Sequence, residues 1–156
     1  MPRDAATTSR MMSAVKSVDT KAEMALRRAL HALGVRYRVH VRDVFGNPDI
    51  AIKKYRIAVF VDGDMWHGHE QIRRGLPDLE SMFPTNTEFW CAKIRRNMQR
   101  DEQVNARLFQ EGWHVMRFWA SDVEADPGPV AGEVRRAVDE RRLGSSAAEG
   151  ESHDSH

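Results

Sequence analysis

Two neighbouring stretches decide the fold of this chain: NPDIAI at residues 47–52 and AVFVDGDMWH at residues 58–67. Each contains an apolar run of the kind that forms a buried strand, with acidic residues at one end. The short link between the runs predicts a hairpin, which brings Asp49 close to Asp62 at one edge of a sheet. Pro48 holds the residue before it extended, so the first strand begins at a fixed angle.

The sequence around this hairpin predicts a mixed central sheet flanked by helices. The predicted elements, in chain order, are a helix over 21–33, strands over 35–41, 49–52 and 56–61, a helix from about 85 to 110, a strand over 113–119 and a helix over 130–143. Short links join the first three strands, and the long helix carries the chain across to the fourth. The predicted fold class is therefore α/β.

Local signals set the ends of these helices. Asp19 or Thr20 can cap the first helix, and Gly34 stops it. The segment Thr85–Glu88 matches a capping box that opens the long helix, and Gly112 ends that helix.

The chain has the size and composition of one domain between two less ordered ends. Its 156 residues are 41% hydrophobic and 30% charged, which is enough for a real core. We assign residues 1–18 to an arm that a partner can order, residues 19–143 to the domain and residues 144–156 to a disordered tail. Residues 63–84 form a long loop, and loops of that length are usually functional or disordered.

Composition excludes several classes of protein. No apolar run approaches the roughly 20 residues of a membrane helix, and the N-terminus lacks the apolar segment of a signal peptide. A single cysteine, Cys91, excludes an intramolecular disulfide framework and predicts a reducing cytosol. The net charge of +1 is nearly neutral, but residues 93–100 hold four basic residues and no acid. That run either attracts phosphates or is a solvated helix face.

The acidic residues at the sheet edge point to a metal site. Two neighbouring carboxylates repel each other unless a cation lies between them, and no lysine in this segment is placed to compensate Asp49 and Asp62. A hard divalent cation would compensate the two negative charges and could also activate a water. The pair of acids therefore indicates metal-dependent hydrolysis. Zinc is disfavoured, because a site built on His67 and His69 would have no cysteine to complete it. An imidazole here can instead be a general base.

Large apolar residues in the loop and in the arm have two interpretations. Met65 and Trp66 are either anchors that fold onto the core or a wedge that enters a base stack, as in DNA-kinking proteins. Met11 and Met12 in the arm invite the same two interpretations.

Short motifs spread along the chain carry a family resemblance. They are SRMMSAV at 9–15, DTKAE at 19–23, GNPD at 46–49, YR at 55–56, VFVDG at 59–63, WH at 66–67, TEFW at 87–90, KI at 93–94, Asn97, RD at 100–101 and GWHV at 112–115 with Trp119. Over about residues 8–120 the chain resembles the very short patch repair (Vsr) mismatch endonucleases. The resemblance implies a restriction-endonuclease-like core, often written PD-(D/E)xK. It also implies an enzyme that nicks DNA 5′ to the thymine of a T:G mismatch left by deamination of 5-methylcytosine.

The resemblance implies roles for individual residues. Asp49 would be the main magnesium ligand and the backbone carbonyl of Val61 a second; manganese can substitute for magnesium. His67 would activate the attacking water, and Glu23 would support the water or the metal shell. Asp62 stands where some relatives carry a second catalytic histidine, so it would either bind metal directly or orient His67.

The resemblance also implies how DNA is bound. Met65 and Trp66 would push an apolar wedge beside the mismatch, with Met12 entering from the arm. The other DNA-contacting residues would be Arg10, Lys93, Arg95, Arg96 and Asn97. The implied partners are a mismatch-containing duplex and mismatch-repair proteins, with no membrane, and the chain would act as a monomer in the bacterial cytosol or nucleoid.

One departure from the family concerns zinc. Better-known relatives bind a structural zinc near this loop through cysteine and histidine, but the matching positions here are Asp64, His69, Gln71 and Ser121. We therefore expect no structural zinc, and a loop held by packing or by hydrogen bonds among Asp64, His67 and His69. Two other functions fit the same sequence: a restriction-type or defence nuclease on the same core, and a catalytically inactive mismatch-binding protein.

Overall fold

The computed structural model describes residues 20–153, with side chains up to residue 144. Four strands form one sheet in the order β1-β2-β3-β4: Arg38–Val39, Ile50–Ile52, Ile57–Asp62 and His114–Trp119. The first three strands are antiparallel neighbours, and β4 pairs parallel with β3. The helices are α1 (Lys21–Ala32), α2 (Glu70–Arg73), α3 (Thr87–Gln110), α4 (Ala120–Ala125) and α5 (Pro127–His153). The predicted α/β fold with a mixed sheet is confirmed.

Helices cover both faces of the sheet because side chains alternate across each strand. One face of β2 and β3 packs against α1, α4 and α5 through a core that includes Ile50, Ile57, Val59, Leu26, Leu30, Val123 and Val134. The other face packs against α3 through Ala51, Ala58, Phe60, Val104 and Leu108. The central strand β3 is therefore buried on both sides, as its near-continuous apolar sequence predicts.

The crossover between β3 and β4 positions the polar ends of both strands. Parallel pairing needs a long connection, and the loop after β3 together with α3 supplies it. The resulting register sets Phe60 opposite Arg117 and Asp62 opposite Trp119. Arg117 therefore lies on the α3 face of the sheet, the face that Phe60 and Asp62 also occupy.

Some predicted boundaries are correct and others are wrong. Thr20 caps α1 by accepting the N–H of Glu23 at 3.2 Å, and Gly112 follows α3 with a φ of 85°. The strand predicted over 35–41 shrinks to β1, because His40 adopts a φ of 54° and leaves the extended conformation. The predicted capping box is absent, since Asn86 is left-handed and makes no side-chain cap. The expectation that Pro48 holds the residue before it extended is also wrong, because Asn47 is left-handed with a φ of 51°.

The last helix is longer than the sequence predicts. It begins at Pro127, because proline is compatible with the first turn of a helix, where its missing N–H has no partner to lose. Its backbone continues past Leu143 to His153, into the segment predicted as a disordered tail, where residues 145–149 contain alanine and glutamate and no proline. Residues 154–156 lie outside the described residues. None of the described helices is both long and apolar enough to cross a membrane.

Candidate active site

A cleft of about 670 Å³ opens at the sheet edge where β2 begins and β3 ends. The hairpin register places Ile50 opposite Val59, so the residue before β2 reaches the last residues of β3. The five residues for which the resemblance implies a catalytic or metal-binding role all line this cleft: Glu23, Asp49, Val61, Asp62 and His67. The structure therefore brings together residues from α1, β2, β3 and the following loop.

Asp49 has a half-buried carboxylate that forms no ion pair with a basic side chain among the described residues. Its Oδ2 accepts the backbone N–H of Val61 at 2.7 Å, and no described basic side chain forms an ion pair with it. Burial raises the pKa of Asp49 to about 7, and the charges of Glu23 and Asp62 add to this shift. The N–H of Val61 and the charge of His67 oppose it. A cation placed here would offset both the burial and the neighbouring negative charge.

Glu23 lies on the same side of the cleft and is only 3% exposed. Most glutamates on a helix face solvent, but this one sits in the first turn of α1, where the helix meets the cleft. Its Oε2 lies 3.3 Å from Nη2 of Arg27, one turn further along α1.

His67 is oriented by an acidic residue that sequence reasoning left without a role. Its Nδ1 is hydrogen-bonded to Oδ2 of Asp101 on α3, which leaves Nε2 as the other ring nitrogen. Oδ1 of Asp62 lies 3.9 Å from the same Nδ1, too far for a hydrogen bond. Burial lowers the pKa of His67, but the bond to Asp101 and the charges of Asp62 and Asp101 outweigh burial, so the pKa is raised.

Asp62 is paired with Arg117, which supplies the positive charge that no nearby lysine does. Nη1 of Arg117 lies 2.9 Å from Oδ1 and 3.1 Å from Oδ2 of Asp62. Burial raises the pKa of Asp62, and the charges of His67 and Arg117 offset only part of that rise. The one sequence signal for this pair is an arginine in the middle of β4, between apolar neighbours.

Asp62, His67 and Asp101 also offer ligand atoms that all lie within 4.8 Å of one another and could hold a metal ion. Each of the three already has a partner, since Asp101 engages His67 and Arg117 engages Asp62. Asp49 has none apart from a backbone N–H. The chemistry of the two groups therefore favours Asp49 as the place for a cation.

The loop after β3 is held by hydrogen bonds that involve positions for which the family resemblance implies zinc ligands. The Asp64 carboxylate accepts the backbone N–H of Ser121 at 2.9 Å and its hydroxyl at 2.5 Å, and it contacts Nδ1 of His69 at 2.7 Å. The ring of His69 stacks on Trp119 at 4.3 Å. Gln71 stays outside this cluster and donates to the carbonyl of Leu76.

The bond between Asp64 and His69 is one that the sequence predicts. The part of that expectation that concerned His67 is wrong, because His67 faces Asp101 and Asp62 instead. The two histidines of this loop therefore serve different acidic partners.

Met65 and Trp66 pack as loop anchors in the structure. Both lie against a buried cluster formed by Phe83, Trp90, Cys91 and Ile94. Trp66 also lines the cleft, its carbonyl accepts Nδ2 of Asn97 at 3.1 Å, and Nζ of Lys93 lies 4.7 Å from its ring centre. The anchor interpretation is thus supported, and the indole still borders the cleft.

The remaining predicted DNA contacts are dispersed. Arg95 is exposed and pairs with Glu80 at 2.5 Å, and Arg96 is exposed on the same helix. Arg10 and Met12 lie outside the described residues.

Comparison with known proteins adds sequence relatives to this geometry. A family model described as DNA mismatch endonuclease Vsr matches residues 3–73. The type II nicking enzyme V.NmeDIP of Neisseria meningitidis serogroup C is 46% identical over 131 residues, which covers 84% of this chain and 85% of that protein. The type II nicking enzyme V.HpaIIP of Haemophilus parainfluenzae is 42% identical over 132 residues, which covers 84% and 89%. The DNA mismatch endonuclease Vsr of Escherichia coli strain K12 is 35% identical over 116 residues, which covers 74% and 70%.

Proposed function

This chain belongs to the Vsr family of DNA mismatch endonucleases, and on that premise we propose that it nicks one DNA strand 5′ to the thymine of a T:G mismatch. It is an endodeoxyribonuclease of DNA repair, and its core would be of the PD-(D/E)xK type. The observation that carries the proposal is the cleft in which Asp49, Glu23 and His67 meet beside Trp66. Such a cleft combines a carboxylate edge for a cation with an imidazole for water.

Magnesium is the metal that we propose, with manganese as a substitute, because the available ligands are carboxylate and carbonyl oxygens. Asp49 and the carbonyl of Val61 would hold the ion, and Glu23 would support its shell. The raised pKa of the unpaired Asp49 carboxylate supports this choice. When bound, the ion polarises the scissile phosphate and the attacking water.

We assign the general-base role to His67. Asp101 engages Nδ1, so Nε2 remains to accept a proton from water. Of the two roles considered for Asp62, orientation of His67 is favoured over direct metal binding, because its carboxylate already pairs with Arg117.

DNA binding in this proposal uses the loop, the arm and α3. Met65 and Trp66 pack as loop anchors, but Trp66 also borders the cleft. In the proposal both residues would enter beside the mismatch, with Met12 from the arm, while Asn97 fixes the backbone of Trp66. The basic residues that position the DNA backbone without reading sequence are Arg10, Lys93, Arg95 and Arg96.

A restriction-type nicking nuclease that does not require a mismatch is the second candidate. Two relatives above 40% identity carry the name type II nicking enzyme, which favours this alternative over other nuclease activities.

A panel of duplexes separates the candidates. Each mismatch and the matched duplex are presented in several flanking contexts, with magnesium, with manganese and with a chelator. We expect a nick 5′ to the thymine of T:G that requires the metal ion. Equal nicking of the matched duplex would favour the second candidate, and tight T:G binding with no nick in either metal would indicate an inactive mismatch-binding protein.

A further inference from the structure

The Arg117 side chain lies in the cleft, where it is neither a proposed metal ligand nor the proposed general base. Its Nη1 contacts both carboxylate oxygens of Asp62, at 2.9 and 3.1 Å, and lies 3.5 Å from Oδ1 of Asp101. One guanidinium nitrogen therefore bridges an acid from β3 and an acid from α3.

The rest of the guanidinium is held from other sides. Its Nε donates to Oδ1 of Asn105 at 2.6 Å, and its carbon lies 4.1 Å from the ring centre of Phe60. The side chain is only 18% exposed. Because the guanidinium is a planar fork, these contacts fix its orientation as well as its position.

The two bridged acids face the same atom of His67. Asp101 is hydrogen-bonded to Nδ1, and Asp62 lies 3.9 Å from it. Two carboxylates this close repel each other unless a cation lies between them. Without Arg117, the 6% exposed Asp62 would keep a buried, unpaired charge beside Asp101.

We propose that Arg117 is a positioning residue of the nicking reaction: by bridging Asp62 and Asp101, it keeps Asp101 against Nδ1 of His67 and leaves Nε2 for the attacking water. This inference rests on the proposed role of His67 as general base. Lysine cannot replace the residue fully, because a single ammonium group cannot contact Asp62, Asp101 and Asn105 in a fixed geometry.

The kinetic test separates binding from the chemical step. In Arg117→Met, we expect the single-turnover nicking rate at saturating DNA to fall about 30-fold, with DNA affinity in chelator changed less than about threefold. Arg117→Lys and Asn105→Ala each remove some of the contacts that hold the guanidinium. In both variants the nicking rate should fall about three- to tenfold. The matched control is Arg107→Met, whose exposed guanidinium pairs with Glu111 on the surface at 3.1 Å; it should nick like the parent protein.

A second readout does not depend on activity. The Nδ1 proton of His67 in its bond to Asp101 should give a strongly downfield proton resonance, assigned by its loss in His67→Ala. We expect Arg117→Met and Asn105→Ala to weaken or abolish this resonance, and Arg107→Met to retain it. An unchanged resonance and nicking rate in Arg117→Met would overturn the inference, as would a defect confined to DNA affinity. A parent protein that shows the resonance but nicks no duplex would instead count against the proposed function.

Discussion

Asp49 and Asp62 lie at adjoining strand ends in one cleft, yet only Asp62 has an ion-pair partner that offsets its charge. Burial raises the pKa of both carboxyls. Asp62 has a guanidinium at 2.9 Å, whereas Asp49 has only a backbone N–H at 2.7 Å. Burial alone therefore does not make a cation site. The carboxylate without an ion-pair partner is the one that we propose as the metal ligand, and the paired carboxylate is the one to which we assign the orientation of His67.

Removal of the unpaired carboxylate should have the largest effect. In Asp49→Ala we expect nicking of a T:G duplex to fall at least about 1,000-fold, because the main metal ligand is lost. Affinity for the duplex in chelator should change less than about threefold, since phosphate contacts dominate binding. Single-turnover nicking and fluorescence anisotropy measure the two quantities.

The control for that variant is Asp43→Ala. Asp43 is an exposed acid that pairs with Lys53 at 2.6 Å, and surface pairs of this kind contribute little. Normal magnesium-dependent nicking by Asp49→Ala would refute the assignment of the metal ligand.

Neutralising the acid that orients His67 should have the next largest effect. Asp101→Asn keeps the shape of the side chain but removes its charge, and we expect a loss of about 10- to 100-fold in nicking rate. His67 must be neutral to accept a proton, so the rate rises with pH through its pKa. Because Asp101 raises that pKa, the acidic limb of the pH–rate profile should move to lower pH in the variant.

The control for this pH–rate profile is a change at Glu102, the exposed acid next to Asp101. Glu102→Gln should keep both the rate and the position of the acidic limb. An acidic limb that stays in place in Asp101→Asn would mean that His67 is not the titrating base.

Asp64 extends the comparison to a third carboxylate, which is compensated by Ser121 and His69. Its bonds to Ser121 and His69 outweigh burial and keep its pKa below the ordinary value. Asp64→Ala should lower the free energy of unfolding by about 2 kcal/mol, because these bonds are lost in a mostly buried site. Urea unfolding, with and without a zinc chelator, measures this loss.

The chelator should leave the stability of the parent protein unchanged, since hydrogen bonds of Asp64 to Ser121 and His69 already hold this loop. Asp78→Ala is a control in the same loop, because Asp78 is exposed and bonds only to Ser81 among the described residues. A large loss of stability on chelation would contradict a zinc-free loop.

An effect of similar size concerns the stability of the metal-free protein. Asp49 has a pKa of about 7 in the folded state against an ordinary 3.8, so the folded protein holds a proton that the unfolded chain releases between these values. Stability should therefore fall as pH rises from about 4 to about 7. Asp49→Asn has no carboxyl group to ionise, so it should not lose stability in this way. We expect it to raise the free energy of unfolding at pH 8 by about 2 kcal/mol, with little change at pH 4.

Magnesium provides the counter-test for this variant. It should stabilise the parent protein at pH 8 and leave Asp49→Asn unaffected. If the free energy of unfolding depends on pH equally in both proteins, Asp49 is not the group whose ionisation lowers the stability.

The part of the site that could be predicted from sequence lies close together in the chain. Asp49 and Asp62 belong to one hairpin, so strand alternation and a short link are enough to place them at one edge. The partners that complete the site are distant: Asp101 is 34 residues from His67, and Arg117 is 55 residues from Asp62. Their positions depend on the crossover and on the β3–β4 register, which no local pattern encodes.

The errors at element ends have a similar origin. Left-handed backbone at His40 and Asn86 shortened one strand and replaced a predicted cap. Histidine and asparagine adopt a positive φ more often than most non-glycine residues, but residue type alone does not show at which position this happens. The sequence also does not indicate which histidine of the loop serves which acid, because that depends on where α3 and α4 lie.

Two consecutive turns of helix α3 form hydrogen bonds to two consecutive residues of the loop. Asn97 binds the carbonyl of Trp66 at 3.1 Å, and Asp101, four residues later on the same helix face, binds the ring of His67. Trp66 and His67 are thus both hydrogen-bonded to one 24-residue helix, which links the position of the indole to that of the imidazole. If the indole contacts DNA as we propose, a duplex that displaces Trp66 should also disturb the position of His67.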